Sequence, residues 1–209
     1  EPISADSPLS RQIPILAVRE LGDKDYDVAG KKIWVIGDDK ELVDKAATLS
    51  AKKAETSRFV FKHAKSLGNE IDKFIKDNAC DVIVDVAHDA EANLDVARIE
   101  KHLLLSSEGR FQFYKKLLAA EIKPERILCL TGMDGMMGLG ASDSIDPTFS
   151  ALSGFYKALR KELTGVSIKI VDFSPQDIRK NFSSVGEHMI DELEHSDEGV
   201  EIAWEGETR

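Results

Sequence analysis

Three things are scarce in this chain of 209 residues. No apolar run approaches the ~20 residues that a membrane-crossing helix needs, and the opening residues carry no signal-sequence pattern. Neither membrane insertion nor secretion is expected, and the expected compartment is the cytoplasm. Cysteine is nearly absent. Cys80 and Cys129 both stand in apolar strand contexts, as reduced core residues do, and neither a disulfide nor a metal site follows from them. Positive charge is also short. Lys and Arg number 28 against 38 Asp and Glu, a formal net charge of −10, which argues against nucleic acid and against an anionic membrane surface as partners. The remainder, 42 % apolar and 32 % charged, is the composition of a globular domain of ordinary size. The first residue is Glu1 rather than Met, which suggests a fragment of a larger chain.

Residues 1–12 are polar, and a loose N-terminal segment is expected there. Ile13-Pro14-Ile15-Leu16-Ala17-Val18 is expected to be extended, because the residue before a proline is pushed away from helix. Strand-length apolar runs then alternate with helix-spaced patterns. Lys31–Gly37 is the first clear buried strand, followed by a helix over 40–53. A strand over 58–62, a helix over 69–78 and a strand over 82–86 come next. Residues 97–121 read as one long amphipathic helix with a break near Ser106–Gly109. A final helix over 176–194 and a last strand over 200–204 end the chain. No internal repeat or low-complexity stretch interrupts this rhythm, so residues 13–209 are expected to form one α/β domain with a doubly wound, mainly parallel sheet.

The most informative stretch is Arg126–Ser174. Ile127–Leu130 is a short apolar strand ended by Thr131-Gly132, and a loop rich in Gly and Met follows. Asp146-Pro147 opens a helix, since Asp suits the N-cap and Pro the first turn. Phe149, Leu152, Ser153, Tyr156, Leu159 and Leu163 recur at helix spacing, Gly165 ends the pattern, and Val166–Phe173 is a strand. Strand, glycine loop, helix and strand make a βαβ unit, which requires a parallel sheet.

The run Gly154-Phe155-Tyr156-Lys157-Ala158-Leu159-Arg160-Lys161-Glu162-Leu163, followed by Ile168-Lys169-Ile170-Val171-Asp172-Phe173, resembles the end of a short-chain dehydrogenase/reductase Rossmann domain. It is most similar to the ketoreductase regions of polyketide and polyunsaturated-fatty-acid synthases. The resemblance implies two Rossmann-like halves. One is catalytic and binds NADPH; the other is truncated, structural and free of cofactor. In the catalytic half a Tyr acts as general acid, a Lys four residues later lowers its pKa and holds the cofactor ribose, and a Ser lies at the preceding strand end. Matching Gly154, Glu162 and Leu163 without gaps puts the Tyr position on Ile145 and the Lys position on Phe149. The Ser position falls near Gly132, with Thr131 beside it. Tyr156 and Lys157 are neighbours and point about 100° apart on a helix, so they do not restore the pair.

The cofactor site is missing from its usual place as well. A dinucleotide sits after the first strand, at a Gly-rich turn that opens the next helix. Here Val35-Ile36-Gly37-Asp38-Asp39-Lys40-Glu41 supplies one glycine and two carboxylates, which repel a pyrophosphate. Glycines 132, 135, 138 and 140 cluster after a late strand, where a plain loop is the better reading. The resemblance therefore implies the structural half, with no catalytic, cofactor-binding or metal residues of its own, beside an NADPH-binding half to which an acyl carrier protein brings the β-ketoacyl chain. Val200–Arg209 resembles the strand that leads into that half. Val200, Ile202 and Trp204 share one face of it and are the expected interface, left exposed and able to pair two copies when the neighbour is absent.

Two other readings remain open. One is a stand-alone reductase of the same superfamily. The other is a phosphoacceptor domain in which Asp38, Asp39 and Asp85 gather at strand ends around Mg²⁺, though the expected Lys-Pro is replaced by Phe173-Ser174-Pro175. The histidines at 63, 88, 102, 188 and 195 show no metal spacing, and Met133, Met136 and Met137 suit loop packing.

Overall fold

In the computed structural model, residues 17–62, 66–87, 100, 104–140, 147–195 and 199–209 are described. The strands are β1 (Lys32–Gly37), β2 (Glu55–Val60), β3 (Val82–Val86), β4 (Arg126–Thr131), β5 (Ser167–Phe173) and β6 (Glu201–Trp204). The α-helices are α1 (Lys40–Ser50), α2 (Leu67–Asp77), α3 (Gly109–Ala119), α4 (Pro147–Glu162), α5 (Pro175–Lys180) and α6 (Phe182–Glu194). A π-helical turn, Leu104–Glu108, leads into α3. All five strand pairs are parallel, and the order across the sheet is β2-β1-β3-β4-β5-β6. The fold class is the expected one: a Rossmann-like, doubly wound parallel sheet, with the chain turning back across β1 to build β3.

Continuous apolar runs make these central strands because both sheet faces are covered. Alternate side chains go to opposite layers. Ile33 and Val35 of β1 join Val84, Leu128 and Val171 under α1 and α6. Trp34 and Ile36 join Ile83, Ile127 and Ile170 under α2, α3 and α4. Gly165, at φ +80°, ends the turn after α4 in a conformation that costs glycine little. On the first layer a carboxylate is also buried: Glu192 of α6 accepts from Lys169 Nζ (2.9 Å), Trp204 Nε1 (3.1 Å) and Arg209 Nε (2.5 Å).

Several boundaries differ from expectation. The second strand is Glu55–Val60 rather than 58–62. It is an edge strand, and its half-exposed Thr56 and Ser57 carry no apolar signal. The expected final helix is two helices, broken at Asn181 (φ −134°, ψ 40°). The break near Ser106–Gly109 is the π turn, and its helix stops at Ala119. Of the extended segment Ile13–Val18, residues 13–16 lie outside the described residues; Ala17 and Val18 are in no regular element. Among the described residues no helix is long and apolar enough to cross a membrane.

Candidate functional site

In a doubly wound sheet, ligands bind beyond the carboxyl ends of the strands, at the point where strand order reverses. Here that point lies between β1 and β3. Groups of the chain itself fill it.

At the end of β1, a Cβ on Gly37 would run into the Val86 carbonyl oxygen and lie 2.7 Å from Val43 Cγ2. This glycine is needed so that β1 can pack against β3 and α1. The N-terminal amides of α1, which would face a pyrophosphate, are taken by Asp39: its Oδ1 accepts from Glu41 N (2.7 Å) and Leu42 N (3.0 Å).

Arg110, fully buried on α3, occupies the crevice itself. Its Nε donates to both Asp85 oxygens (3.0 and 2.9 Å), and Nη2 donates to Asp85 Oδ1 (2.7 Å) and the Val86 carbonyl (3.3 Å). Nη1 reaches Asp38 Oδ2 (3.2 Å), Ser106 O (3.1 Å) and Ser106 Oγ (2.8 Å). The guanidinium carbon lies 5.3 Å from the centre of the Phe61 ring. The π turn has a purpose here, because it brings the Ser106 carbonyl and hydroxyl to a side chain one turn on. Burial works against the Arg110 charge, but Asp85 and Asp38 outweigh it and hold its pKa well above the ordinary value. Burial pushes Asp85 up while Arg110 pulls it down. A guanidinium and a hydroxyl all donate to that carboxylate, which is the arrangement of an ion pair.

Tyr156 donates its hydroxyl to Asp85 Oδ2, and the Tyr114 hydroxyl lies 3.2 Å from that of Tyr156. Burial and the Asp85 charge push both phenols well above their usual range. A general-acid tyrosine requires the opposite. Lys157, beside it, is paired with Glu201 at 2.8 Å.

The third filled place is the loop after β4. Asp172, at the carboxyl end of β5, accepts from Thr131 Oγ1 (2.8 Å) and from four backbone amides. These are Met133 (2.7 Å), Asp134 (3.3 Å), Gly135 (2.9 Å) and Met137 (3.1 Å). Asp134 accepts in turn from the amides of Met136 (2.8 Å), Gly138 (2.8 Å) and Gly140 (2.9 Å). Convergent amides of this kind make an anion nest. In this chain two carboxylates occupy it. Gly135 and Gly138 have φ +75° and +76°, so the glycine cluster serves the nest and is not a plain loop. Burial outweighs the donors around Asp172 and pushes its pKa up to about 6.

Of the three positions matched to the catalytic Ser, Tyr and Lys, Ile145 lies outside the described residues. Phe149 is fully buried with Met133 and Leu152. A Cβ at Gly132 would meet Ile178 Cδ1 at 2.9 Å, and the neighbouring Thr131 hydroxyl is committed to Asp172. Of the three candidate phosphoacceptor carboxylates, Asp38 and Asp85 do converge, but on Arg110, while Asp39 turns away to cap α1. No group of three or more metal-ligating side chains forms among the described residues. The donor set does not fit a dinucleotide, because the amides and the crevice that would receive one are already occupied.

The expected interface needs correction. Ile202 and Trp204 are only 6 % and 5 % exposed. Both lie in the layer covered by α6, where Trp204 stacks on His188 with ring centres 3.8 Å apart. Val200 precedes β6 and packs, half-buried, towards the opposite layer. The three do not make an exposed apolar face, because α6 covers this strand as helices cover the others. The strand's open side is its edge.

The functional residue that sequence reasoning missed is Arg110. Its signal was present: it falls with Phe113, Tyr114 and Leu117 on the buried stripe of α3, where a cation needs a buried partner. Asp85 and Asp172 stood in the same way inside otherwise apolar strands.

Comparison with solved structures supports this fold. The chain superposes on a multidomain non-ribosomal peptide synthetase module, containing adenylation, ketoreductase and pseudo-Asub domains, with a TM-score of 0.68 at 15 % identity, over 92 % of this chain and 17 % of that one. It matches an N-terminal ketoreductase from the macrolactin assembly line with a TM-score of 0.54 at 15 % identity, over 79 % of this chain and 38 % of that one. A short-chain dehydrogenase/reductase of Serratia marcescens gives 0.57 at 13 % identity, over 86 % of this chain and 97 % of that one. The chain thus has the fold shared by short-chain dehydrogenases and ketoreductase domains, and spans about a sixth of the multidomain chain it matches. No family model and no curated protein matches its sequence.

Proposed function

We propose that this chain is the non-catalytic, structural half of a β-ketoacyl ketoreductase in a polyketide or fatty-acid synthase. It supports an adjacent half that binds NADPH and reduces a ketone delivered on an acyl carrier protein. The observation that carries this reading is Arg110. It lies with Asp38 and Asp85 in the crevice where the fold would hold a nucleotide, within a sheet otherwise built like that of the reductases. A stand-alone reductase of this fold would need a tyrosine that substrate can reach, whereas Tyr156 is fully buried and bonded to Asp85.

The test is calorimetric titration of the chain with NADPH and NADH at millimolar concentration. No saturable heat is expected from either. Saturable binding in the micromolar range would overturn the structural-half reading and favour the reductase.

A further inference from the structure

Helices α3 and α4 lie in the same layer over the sheet, and the side they turn to solvent is apolar where they meet. Among the described residues four large apolar side chains are well exposed, and two of them, Phe111 (59 %) and Leu118 (43 %), lie on α3. They stand three residues before and four residues after Tyr114, so all three share one side of the helix. That side is turned towards α4, because the Tyr114 ring lies 5.7 Å from Phe155 and 5.8 Å from Tyr156. On α4, half-buried Phe155 and exposed Ala151 and Ala158 continue the apolar surface, four residues before and three after Phe155.

The charge around this surface has one sign. α3 carries three basic residues and no acid, and α4 carries three basic residues and one acid, Glu162, in a chain of net charge −10. Three of the cations are neutralised: Arg110 by Asp38 and Asp85, Lys116 by Asp72 and Lys157 by Glu201. Lys115, Arg160 and Lys161 are exposed and join no ion pair among the described residues. Lys115 falls between Phe111 and Leu118 on the helix surface, and Lys161 follows Ala158 by one turn. We propose that this face of α3 and α4 binds an acidic amphipathic helix of a partner protein. The apolar side of that helix lies on Phe111, Leu118 and Phe155, and its carboxylates stand beside Lys115 and Lys161. An apolar patch rimmed by polar groups is the usual form of an interaction site, and a valley between two helices suits a third helix. The uncompensated cations select the sign of the partner.

Competing occupants are weaker. Two copies related by a twofold axis bring the same patch together, so the cations of one would face the cations of the other. An anionic lipid surface is broad, and beyond the patch it would meet the acidic remainder of the chain.

The test selects binders of the full chain from displayed helical peptides of about 18 residues, with a fixed Leu seam and flanking positions that vary among Glu, Gln and Lys. Selected peptides should carry Glu at the flanks at least about three times as often as Lys, and higher salt should weaken them. F111S/L118S, two exposed substitutions, should weaken the best peptide at least about 10-fold. K115E/K161E should turn the choice to Lys, which an apolar patch indifferent to charge would not do. Both variants should keep the parent's unfolding midpoint within a few degrees; if F111S/L118S does not, the charge reversal carries the test. Failure to select any peptide, or flanks left at their starting composition, would overturn the proposal. Dimerisation of the parent chain that F111S/L118S abolishes would overturn it in favour of a second copy. Binding to phosphatidylserine vesicles that K115E/K161E abolishes would overturn it in favour of a lipid surface.

Discussion

Arg110 shows what a single side chain settles here. Its guanidinium bridges two buried carboxylates, so removing it takes the cation away from Asp85 and Asp38. Breaking a buried pair from one side costs about 3–5 kcal/mol, whereas removing charge from both sides costs far less. R110M should therefore lower the unfolding free energy in urea by about that amount, and the double variant R110M/D85N should recover at least half of it. Additive losses would mean that the pair is not coupled. Asp172 gives a prediction in pH. Its folded pKa of about 6 lies above the ordinary 3.8, so the folded chain holds this proton more tightly than the unfolded chain does. Its stabilising contribution is complete below about pH 4 and is lost as pH rises through 6, a swing of about 3 kcal/mol. The stability difference between the parent chain and D172N, measured at pH 7 and pH 4, should move by that order in favour of the parent at acid pH. A difference independent of pH would exclude titration of this carboxyl. Both groups were visible in the sequence as polar residues in apolar stripes. Their partners were not, because Arg110 and Asp85 are 25 positions apart and only the fold brings them together.

At the scale of elements, legibility followed burial. β1, β3, β4 and β5 are covered on both faces, so they show as apolar runs and their positions were readable within a residue or two. β2 lies at an edge, and Glu55, Thr56 and Ser57 hid its first half. The break between α5 and α6 was hidden for the opposite reason. Ile178, Phe182, Val185 and Met189 keep helix spacing straight through Asn181, so the apolar pattern continues where the backbone does not. Gly37 was read as a failed cofactor turn, and its packing role needed the structure. A Cβ there meets the backbone of β3, which cannot move aside without breaking the parallel ladder. G37A should cost about 2–3 kcal/mol in denaturant unfolding, as overpacking against fixed neighbours does. A loss below about 0.5 kcal/mol would mean that β1 and β3 can separate and that the crevice is softer than the contacts imply.

At the scale of the whole molecule, Arg110, Asp38, Asp85 and Asp172 occupy the carboxyl ends of β1, β3 and β5 among the described residues, and under the proposed function what the domain offers its neighbour is a surface. Sequence reasoning placed that surface on Val200, Ile202 and Trp204, and the burial of Ile202 and Trp204 under α6 removes the idea that a missing neighbour leaves an apolar face of all three bare. The consequence for stability changes with it. A domain whose core is closed by its own helices should fold alone, and a neighbour should add stability only through binding. A partner that binds the folded state and not the unfolded one stabilises it by RT ln(1 + [L]/Kd), about 2.7 kcal/mol when its effective concentration is a hundred times Kd. For a domain of this size that corresponds to a rise of roughly 5–10 °C in the unfolding midpoint. A longer polypeptide carrying an NADPH-binding ketoreductase half after Arg209 should therefore melt higher than this chain, and R110M in that context should lower the midpoint without changing the affinity for NADPH. The second part separates support from catalysis, because the crevice of this half holds Arg110 while the cofactor would lie in the other. If the longer polypeptide melts at the same temperature as the isolated chain, or if R110M weakens NADPH binding while the midpoint stays fixed, the supporting role is wrong.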